Sequence, residues 1–244
     1  MKIRDVCHGL KYDLARVAEE RHQWEETDTH QTYDAKKALL RDVSPNHHAA
    51  LMHYTEKYAL HLIASHLAPG GLAVEIGSFL GGSASIMAHA NPKVSIIGID
   101  AYDEKLHVPD QQEMIDKAYG SGKQRTVENA RKFVNQSYSN VTLIKARSPD
   151  ECLDIDIADN QLDLLLEDAV HVDPGLGKNL DFWFPKVKSG GVILMHDYRP
   201  WLPQPLSKPP IRFHDVERHV HTLVKEKKAE MICLVRGLAI LKKL

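Results

Sequence analysis

The stretch that most constrains the fold is Leu72 to Ala90, LAVEIGSFLGGSASIMAHA. A short apolar run, Leu72-Ala73-Val74, ends in an acid, Glu75. The turn Gly77-Ser78-Phe79-Leu80-Gly81-Gly82-Ser83 then leads into a small-residue helix pattern, Ala84 to Ala90. Strand, glycine turn and helix in that order form the first βα unit of a nucleotide-type site. Glycine lets the backbone approach a ligand where a Cβ would collide. The spacing is E-x-G-x-x-x-G-G rather than the G-x-G-x-x-G of a dinucleotide fingerprint, whose helix N-terminus faces a pyrophosphate. A carboxylate pointing from the strand end into the crevice would repel a pyrophosphate and attract a cationic amino group. That argues against a nicotinamide-linked dehydrogenase.

Around this unit the chain alternates. Ala49 to Leu67 carries apolar residues at 51, 54, 58, 59, 62 and 63, an amphipathic helix that Pro69-Gly70-Gly71 ends. Strands are expected at 73–76, 94–100, 141–146, 162–168 and 192–196, with helices at 82–90, 126–136, 149–155, 177–187 and 211–225. The almost unbroken apolar runs Val94–Asp100 and Leu162–Asp168 suit strands buried on both faces. Ser189-Gly190-Gly191 reads as a helix stop, and residues 231–235 and 238–241 as a closing hairpin. Residues 103–124 read as a polar, irregular insertion. Residues 199–210 hold five prolines (200, 203, 205, 209 and 210), which predicts a rigid loop near the acceptor site. Residues 1–48 are polar and helical in pattern, an N-terminal helical cap or dimer arm on a main domain spanning 49–244.

Charge and composition narrow the function classes. A net charge of −2 gives no basic field for nucleic acid. The three cysteines, Cys7, Cys152 and Cys233, have no CxxC spacing, which suits a reducing, cytoplasmic setting rather than a disulfide framework or zinc site. The first twenty residues lack the apolar core of a signal peptide, and no run of about 18 apolar residues predicts a membrane span. Most of the 15 histidines, such as His47-His48, read as surface decoration.

VEIGSFLGGSA resembles motif I of the class I S-adenosylmethionine (SAM)-dependent methyltransferases. The resemblance implies a doubly wound, seven-stranded Rossmann-like α/β sheet in the order 3-2-1-4-5-7-6 with the last strand antiparallel. It also implies a SAM crevice at the carboxyl ends of the first, second and fourth strands. Glu75, Gly77, Ser78, Gly81 and Ser83 would form the methionine side of that crevice. Asp100, at the end of the second strand, would accept both ribose hydroxyls. After the third strand the family places a small residue and then an acid against adenine. This chain has Ala146-Arg147-Ser148, so Arg147, Ser148 or the backbone would take that contact. Asp168 completes the cofactor set.

A second cluster follows from the neighbouring fourth and fifth strands, Leu166-Glu167-Asp168-Ala169-Val170-His171 and Met195-His196-Asp197-Tyr198. Acids and histidines at two adjacent strand ends are a plausible ligand set for a divalent metal such as Mg²⁺ or Mn²⁺. These segments resemble the small-molecule O-methyltransferases of the macrocin, mycinamicin and NovP-like and CmcI-like groups. The more distant catechol and caffeoyl-CoA enzymes hold metal at the positions occupied here by Asp168, His196 and Asp197. The second acid of the sugar enzymes' DxDH pattern is Val170 here, which leaves His171, and after it His196, as the candidate general base. Tyr102, Tyr198 and Trp201 are candidates for the acceptor pocket.

The resemblance thus implies methyl transfer to a hydroxyl of a small molecule, a sugar or natural product, assisted by a divalent metal. The amphipathic N-terminal helices outside the main domain suggest a homodimer. Two alternatives stay open: a metal-independent methyltransferase with a histidine base, acting on oxygen or nitrogen, and a SAM-binding subunit without turnover.

Overall fold

The computed structural model describes residues 43–102, 111–198 and 214–244. Residues 1–42 of the expected 1–48 cap, the whole proline-rich loop 199–210 and residues 103–110 of the insertion lie outside the described residues. The seven strands are β1 (Leu72–Ile76), β2 (Ser95–Asp100), β3 (Val141–Lys145), β4 (Leu162–Glu167), β5 (Val187–Met195), β6 (Ala229–Val235) and β7 (Leu238–Lys243). They form one sheet in the order β3-β2-β1-β4-β5-β7-β6. The pairs among β1 to β5 are parallel, and β7 runs antiparallel to both β5 and β6. Fold class and strand order therefore match the expectation.

The helices described are α1 (Tyr54–Ser65), α2 (Gly82–Ala90), α3 (Gln111–Tyr119), α4 (Val127–Asn135), α5 (Gly175–Trp183) and α6 (His214–Lys225). β4 shows why the sheet is covered on both sides. Its Leu164 and Leu166 join the core under α1, α2 and α4, whereas Leu165 joins the core under α5 and α6. A strand buried on both faces must be apolar throughout, and this confines its carboxylates to the ends. None of the described helices is long and apolar enough to cross a membrane.

Several elements depart from expectation for identifiable reasons. The amphipathic run 49–67 is not one helix. A short 3₁₀ turn at His47–Ala49 precedes α1, and the His53 backbone N–H donating to Glu56 Oε2 at 2.7 Å starts the helix afresh. Residues 149–155 form successive i→i+3 turns instead of a helix, with Cys152 N bonded to Pro149 O and Ile155 N to Cys152 O. α5 starts at Gly175 and ends at Trp183; Phe184 keeps helical angles and donates to Leu180 O at 2.9 Å, but Pro185 has no N–H to carry the ladder further. Ser189-Gly190-Gly191 does not stop a helix but lies inside β5. Gly190 has φ +81°, and the β4–β5 register shifts between Leu162 and Leu164, the signature of a bulge. Within the insertion, residues 111–119 are helical.

The 3₁₀ turn lies directly on the start of α2. A Cβ on Gly82 would stand 2.2 Å from Ala50 N and 2.3 Å from Ala49 C, both backbone atoms with nowhere to go. Replacing Gly82 with Ala is therefore expected to lower the unfolding free energy by about 1–3 kcal/mol, despite alanine's better helix propensity. Urea unfolding checks this; an unchanged midpoint would mean that the turn can lift away from the helix at no cost.

Candidate active site

The crevice opens where β1, β2, β4 and β5 end. Gly77 turns the chain sharply at φ +94°, and a Cβ there would lie 2.3 Å from Asp168 O, so only glycine lets the first turn close against the end of β4. Its N–H donates to Ile99 O at 2.8 Å. Gly81, at φ +83°, is the N-cap of α2. Ser78 is buried, and its hydroxyl shares a hydrogen bond with the Tyr102 hydroxyl at 3.3 Å.

Glu75 is placed differently from the expectation. It does not face the open crevice but lies fully buried beneath the turn, where Ser83 Oγ donates to its Oε1. Burial pushes its pKa up to about 8, the Ser83 bond opposes this, and the nearby Asp168 and Asp100 charges push further upward. At neutral pH Glu75 is mostly a neutral acid bracing the turn, so the negative charge of the crevice comes from other residues.

Asp100 is one of them. Its Oδ2 accepts from Phe79 N at 2.9 Å, and its Oδ1 accepts from Tyr102 N at 2.6 Å and from Arg125 Nη1 at 2.9 Å. Arg125 is nearly buried, with its guanidinium 5.6 Å from the Phe79 ring centroid and 5.8 Å from that of Tyr102. Sequence reasoning missed Arg125, because no motif marks a cation that meets Asp100 from 25 residues away. Tyr102, offered as a pocket residue, is instead buried in the core, as is Tyr198, whose hydroxyl pairs with His221 Nε2 at 2.9 Å. Trp201 lies outside the described residues.

The third-strand pair is split. Arg147 is exposed, and its backbone N–H donates to Glu151 Oε2 at 2.8 Å. Ser148 Oγ donates to Asn179 Oδ1 at 2.8 Å and accepts from Trp183 Nε1 at 2.8 Å. Asn179 Nδ2 in turn donates to Glu167 Oε1 at 3.1 Å. The hydroxyl of Ser148 thus ties the third-strand loop to α5 instead of facing an open pocket. Burial raises the Glu167 carboxyl to about 8, against the opposing Asn179 bond.

The second cluster assembles as the strand ends predicted. His196 Nδ1 lies 2.8 Å from Asp168 Oδ1 and 3.7 Å from Asp197 Oδ1. His171 Nε2 lies 3.5 Å from Asp168 Oδ1 and 3.6 Å from Asp197 Oδ2. One donor atom from each of these four residues falls within 4.8 Å of the others. Donors that share a dication at bond lengths of about 2.0–2.3 Å stand roughly 3–4 Å apart, so the spacing suits one ion. His196 Nδ1 is buried, and its close approach to Asp168 Oδ1 is an ion pair without hydrogen-bond alignment.

The charges are strongly coupled. Burial would raise the Asp168 carboxyl, yet His196 and His171 outweigh it and hold it below the ordinary carboxylate range. Burial opposes a charge on His196, but Asp168 and Glu56 outweigh it and hold its pKa well above that of free histidine. Without a metal, then, His196 is an imidazolium between acids. Asp197 is raised, chiefly by burial. Glu56 was also missed in the sequence. It reaches the cluster from α1, 140 residues before His196, with Oε2 3.4 Å from His196 Nε2.

Fold and site together define an α/β transferase crevice with a glycine turn on one side and an acid–histidine cluster on the other. A family model described as a methyltransferase domain, Methyltransf_24, matches residues 74–198. The chain belongs to this family, and the matched segment is its SAM-dependent methyltransferase domain. An uncharacterised protein of Acanthamoeba polyphaga mimivirus is 33% identical over 135 residues, 54% of each chain, so the chain spans about half the length of the curated relative it matches. Among solved structures, a candidate caffeoyl-CoA O-methyltransferase from Staphylococcus aureus is 15% identical, covering 94% of this chain and 98% of that one, with a TM-score of 0.54. An SAH-bound methyltransferase from Podospora anserina is 16% identical, covering 88% and 97%, with a TM-score of 0.53. Likeness at this level supports the fold.

The neutral Glu75 carries a testable sign. Its pKa rises from 4.5 in the unfolded chain to about 8 when folded, so between those values the folded protein holds the extra proton. That contribution is fully present at the acid end and falls away as pH climbs towards 8. Glu75→Gln, which cannot ionise, is expected to gain stability relative to the wild type by up to about 1.4 kcal/mol per pH unit across this window. Urea unfolding of both proteins over the range measures the difference; parallel curves would contradict a buried neutral acid.

Proposed function

We propose that the protein transfers the methyl group of SAM to a hydroxyl of a small molecule, a sugar or natural product, with a divalent metal held by Asp168, His196 and Asp197. The observation that carries the reading is the convergence of two acids and two imidazoles at the ends of β4 and β5, beside the Gly77 turn. The SAH-bound state of the Podospora relative and the O-methyltransferase description of the Staphylococcus one agree with it.

Each of the chain's residues then has a task. Asp100, fixed by Phe79 N and Arg125, presents its carboxylate to the ribose diol, one lone pair of Oδ2 remaining beyond the Phe79 bond. The glycine turn at 77–81 lets the backbone lie along the amino-acid end of the cofactor. Asp168 supplies the negative charge there that neutral Glu75 does not. A divalent cation bound at the cluster supplies Lewis acidity that lowers the pKa of a hydroxyl. His171, flanked by Asp168 and Asp197, accepts the hydroxyl proton, and those two carboxylates stabilise the imidazolium that forms. Bound SAM would supply the methyl group to the deprotonated oxygen and leave as SAH, and the part of the chain is to hold donor and acceptor in alignment, which would provide most of the acceleration.

A metal-independent enzyme with the same His171 base is the second reading. It is favoured by the ion network Glu56–His196–Asp168, which is charge-complementary with a proton in place of a metal. A homodimer is proposed for either reading.

Calorimetric titration of SAH is expected to give binding in the wild type and a loss of at least about tenfold in Asp100→Ala, equivalent to 1.4 kcal/mol. Equal affinities would remove the ribose assignment. Turnover on a panel of hydroxylated acceptors is expected to vanish with EDTA and to return with Mg²⁺ or Mn²⁺. Undiminished activity in EDTA that disappears in His171→Ala selects the metal-independent enzyme, and binding without turnover selects a SAM-binding subunit.

A further inference from the structure

Glu56 connects three parts of the molecule that are remote in sequence. Its Oε2 accepts from His53 N at 2.7 Å and lies 3.4 Å from His196 Nε2, while its Oε1 accepts from Gly237 N at 2.8 Å, in the turn between β6 and β7. The side chain is buried, and both oxygens are fixed by backbone donors, so it cannot swing away from His196 without breaking the start of α1. Neither Glu56 nor Gly237 belongs to the matched segment 74–198.

The geometry decides which nitrogen of His196 keeps its proton when a cation binds. An ionised carboxylate only accepts hydrogen bonds, so a ring nitrogen facing one is N–H. In the metal-free protein both nitrogens face carboxylates, Nε2 towards Glu56 and Nδ1 towards Asp168 Oδ1 and Asp197 Oδ1. A dication among Asp168, His196 and Asp197 would take the place of the Nδ1 proton, and Glu56 holds the proton on Nε2. A carboxylate behind a metal-binding imidazole sets both its tautomer and its ring orientation. We infer that Glu56 is a positioning residue for the proposed metal cluster: bonded to Nε2–H of His196 and pinned by His53 N and Gly237 N, it presents Nδ1 of His196 to a divalent cation. This rests on the metal reading of the cluster.

The pinning also explains why a glutamine could not substitute. With one acceptor oxygen and one NH₂ group, a glutamine either sets its NH₂ against Gly237 N–H or sets it against His53 N–H and Nε2 together. In the last case Nε2 must accept, and Nδ1 carries the proton into the cluster, where it blocks a cation.

Co²⁺ serves as the probe, because its visible d–d bands change when protein ligands replace its water shell. Titrating Co²⁺ into the wild type is expected to give saturable bands, and Glu56→Gln to shift the titration midpoint to about 10–100-fold higher Co²⁺. Cooperative unfolding of the variant shows that it is folded. If the wild type develops no bands, the metal reading itself fails. If the wild type binds and Glu56→Gln binds equally well, the metal reading stands and the role of Glu56 is overturned. A measurement on the wild type alone covers a variant that does not fold. In the Zn²⁺-loaded protein, the long-range ¹H–¹⁵N spectrum of the His196 ring should show a protonated Nε2 and a metal-bound Nδ1. The reverse assignment overturns the inference.

Discussion

The site depends on backbone hydrogen bonds made just past the ends of the strands. Gly77 N donates to Ile99 O, Asp168 N to Ile76 O at 2.9 Å, His196 N to Glu167 O at 3.1 Å, and Tyr198 N to Gly237 O at 2.9 Å. Each bond continues the ladder one step beyond a strand. The residues that follow β1, β4 and β5 therefore cannot splay apart, and the side chains of Asp168 and His196 are delivered to one place. The contact of Gly77 with the Asp168 backbone closes the remaining gap. The crevice is in this sense a property of the parallel sheet, and the loops only decorate it.

The acids around the crevice divide by environment. Glu75 and Glu167 are buried, raised to about 8, and tied to neutral partners, Ser83 and Asn179. Asp168 faces two histidines and is held low. Glu167 and Asp168 are adjacent in sequence and move in opposite directions, because successive residues at a strand end face opposite sides of the sheet. The neutral acids hold the turns and the α5 contact in place. The charged ones supply the field that a sulfonium cofactor and a dication require. Neighbouring carboxylates given separate tasks by their surroundings are a recurrent device in enzymes.

Much of this was legible in the chain. Apolar runs ending in acids located β1, β2 and β4, and the same runs put Asp100 and Asp168 at the crevice, because a strand buried on both faces can place charge only at its tip. The pairing of Asp168 with His196 followed from β4 and β5 being neighbours. What stayed hidden involved partners that no spacing encodes. Glu75 looked like a cation-binding acid because sequence does not reveal that Ser83 Oγ would turn back to cover it. Arg125 and Glu56 reach Asp100 and His196 from elements whose approach is set by tertiary packing. Ser189-Gly190-Gly191 carries the composition of a helix stop, but the parallel pairing with β4 converts it into a bulge. Residues 149–155 lacked enough helical pattern to outweigh the turn between β3 and β4.

The central claim is that the ends of β1, β2, β4 and β5 form one site for a methyl donor and a dication. A crystal structure of the protein grown with SAH and Mn²⁺ tests it most directly. The account predicts SAH with its ribose on Asp100, and an anomalous manganese peak between Asp168, His196 and Asp197, with Nδ1 of His196 as a ligand. SAH turned away from Asp100, or a fully ordered cluster with no manganese peak at saturating metal, would contradict it.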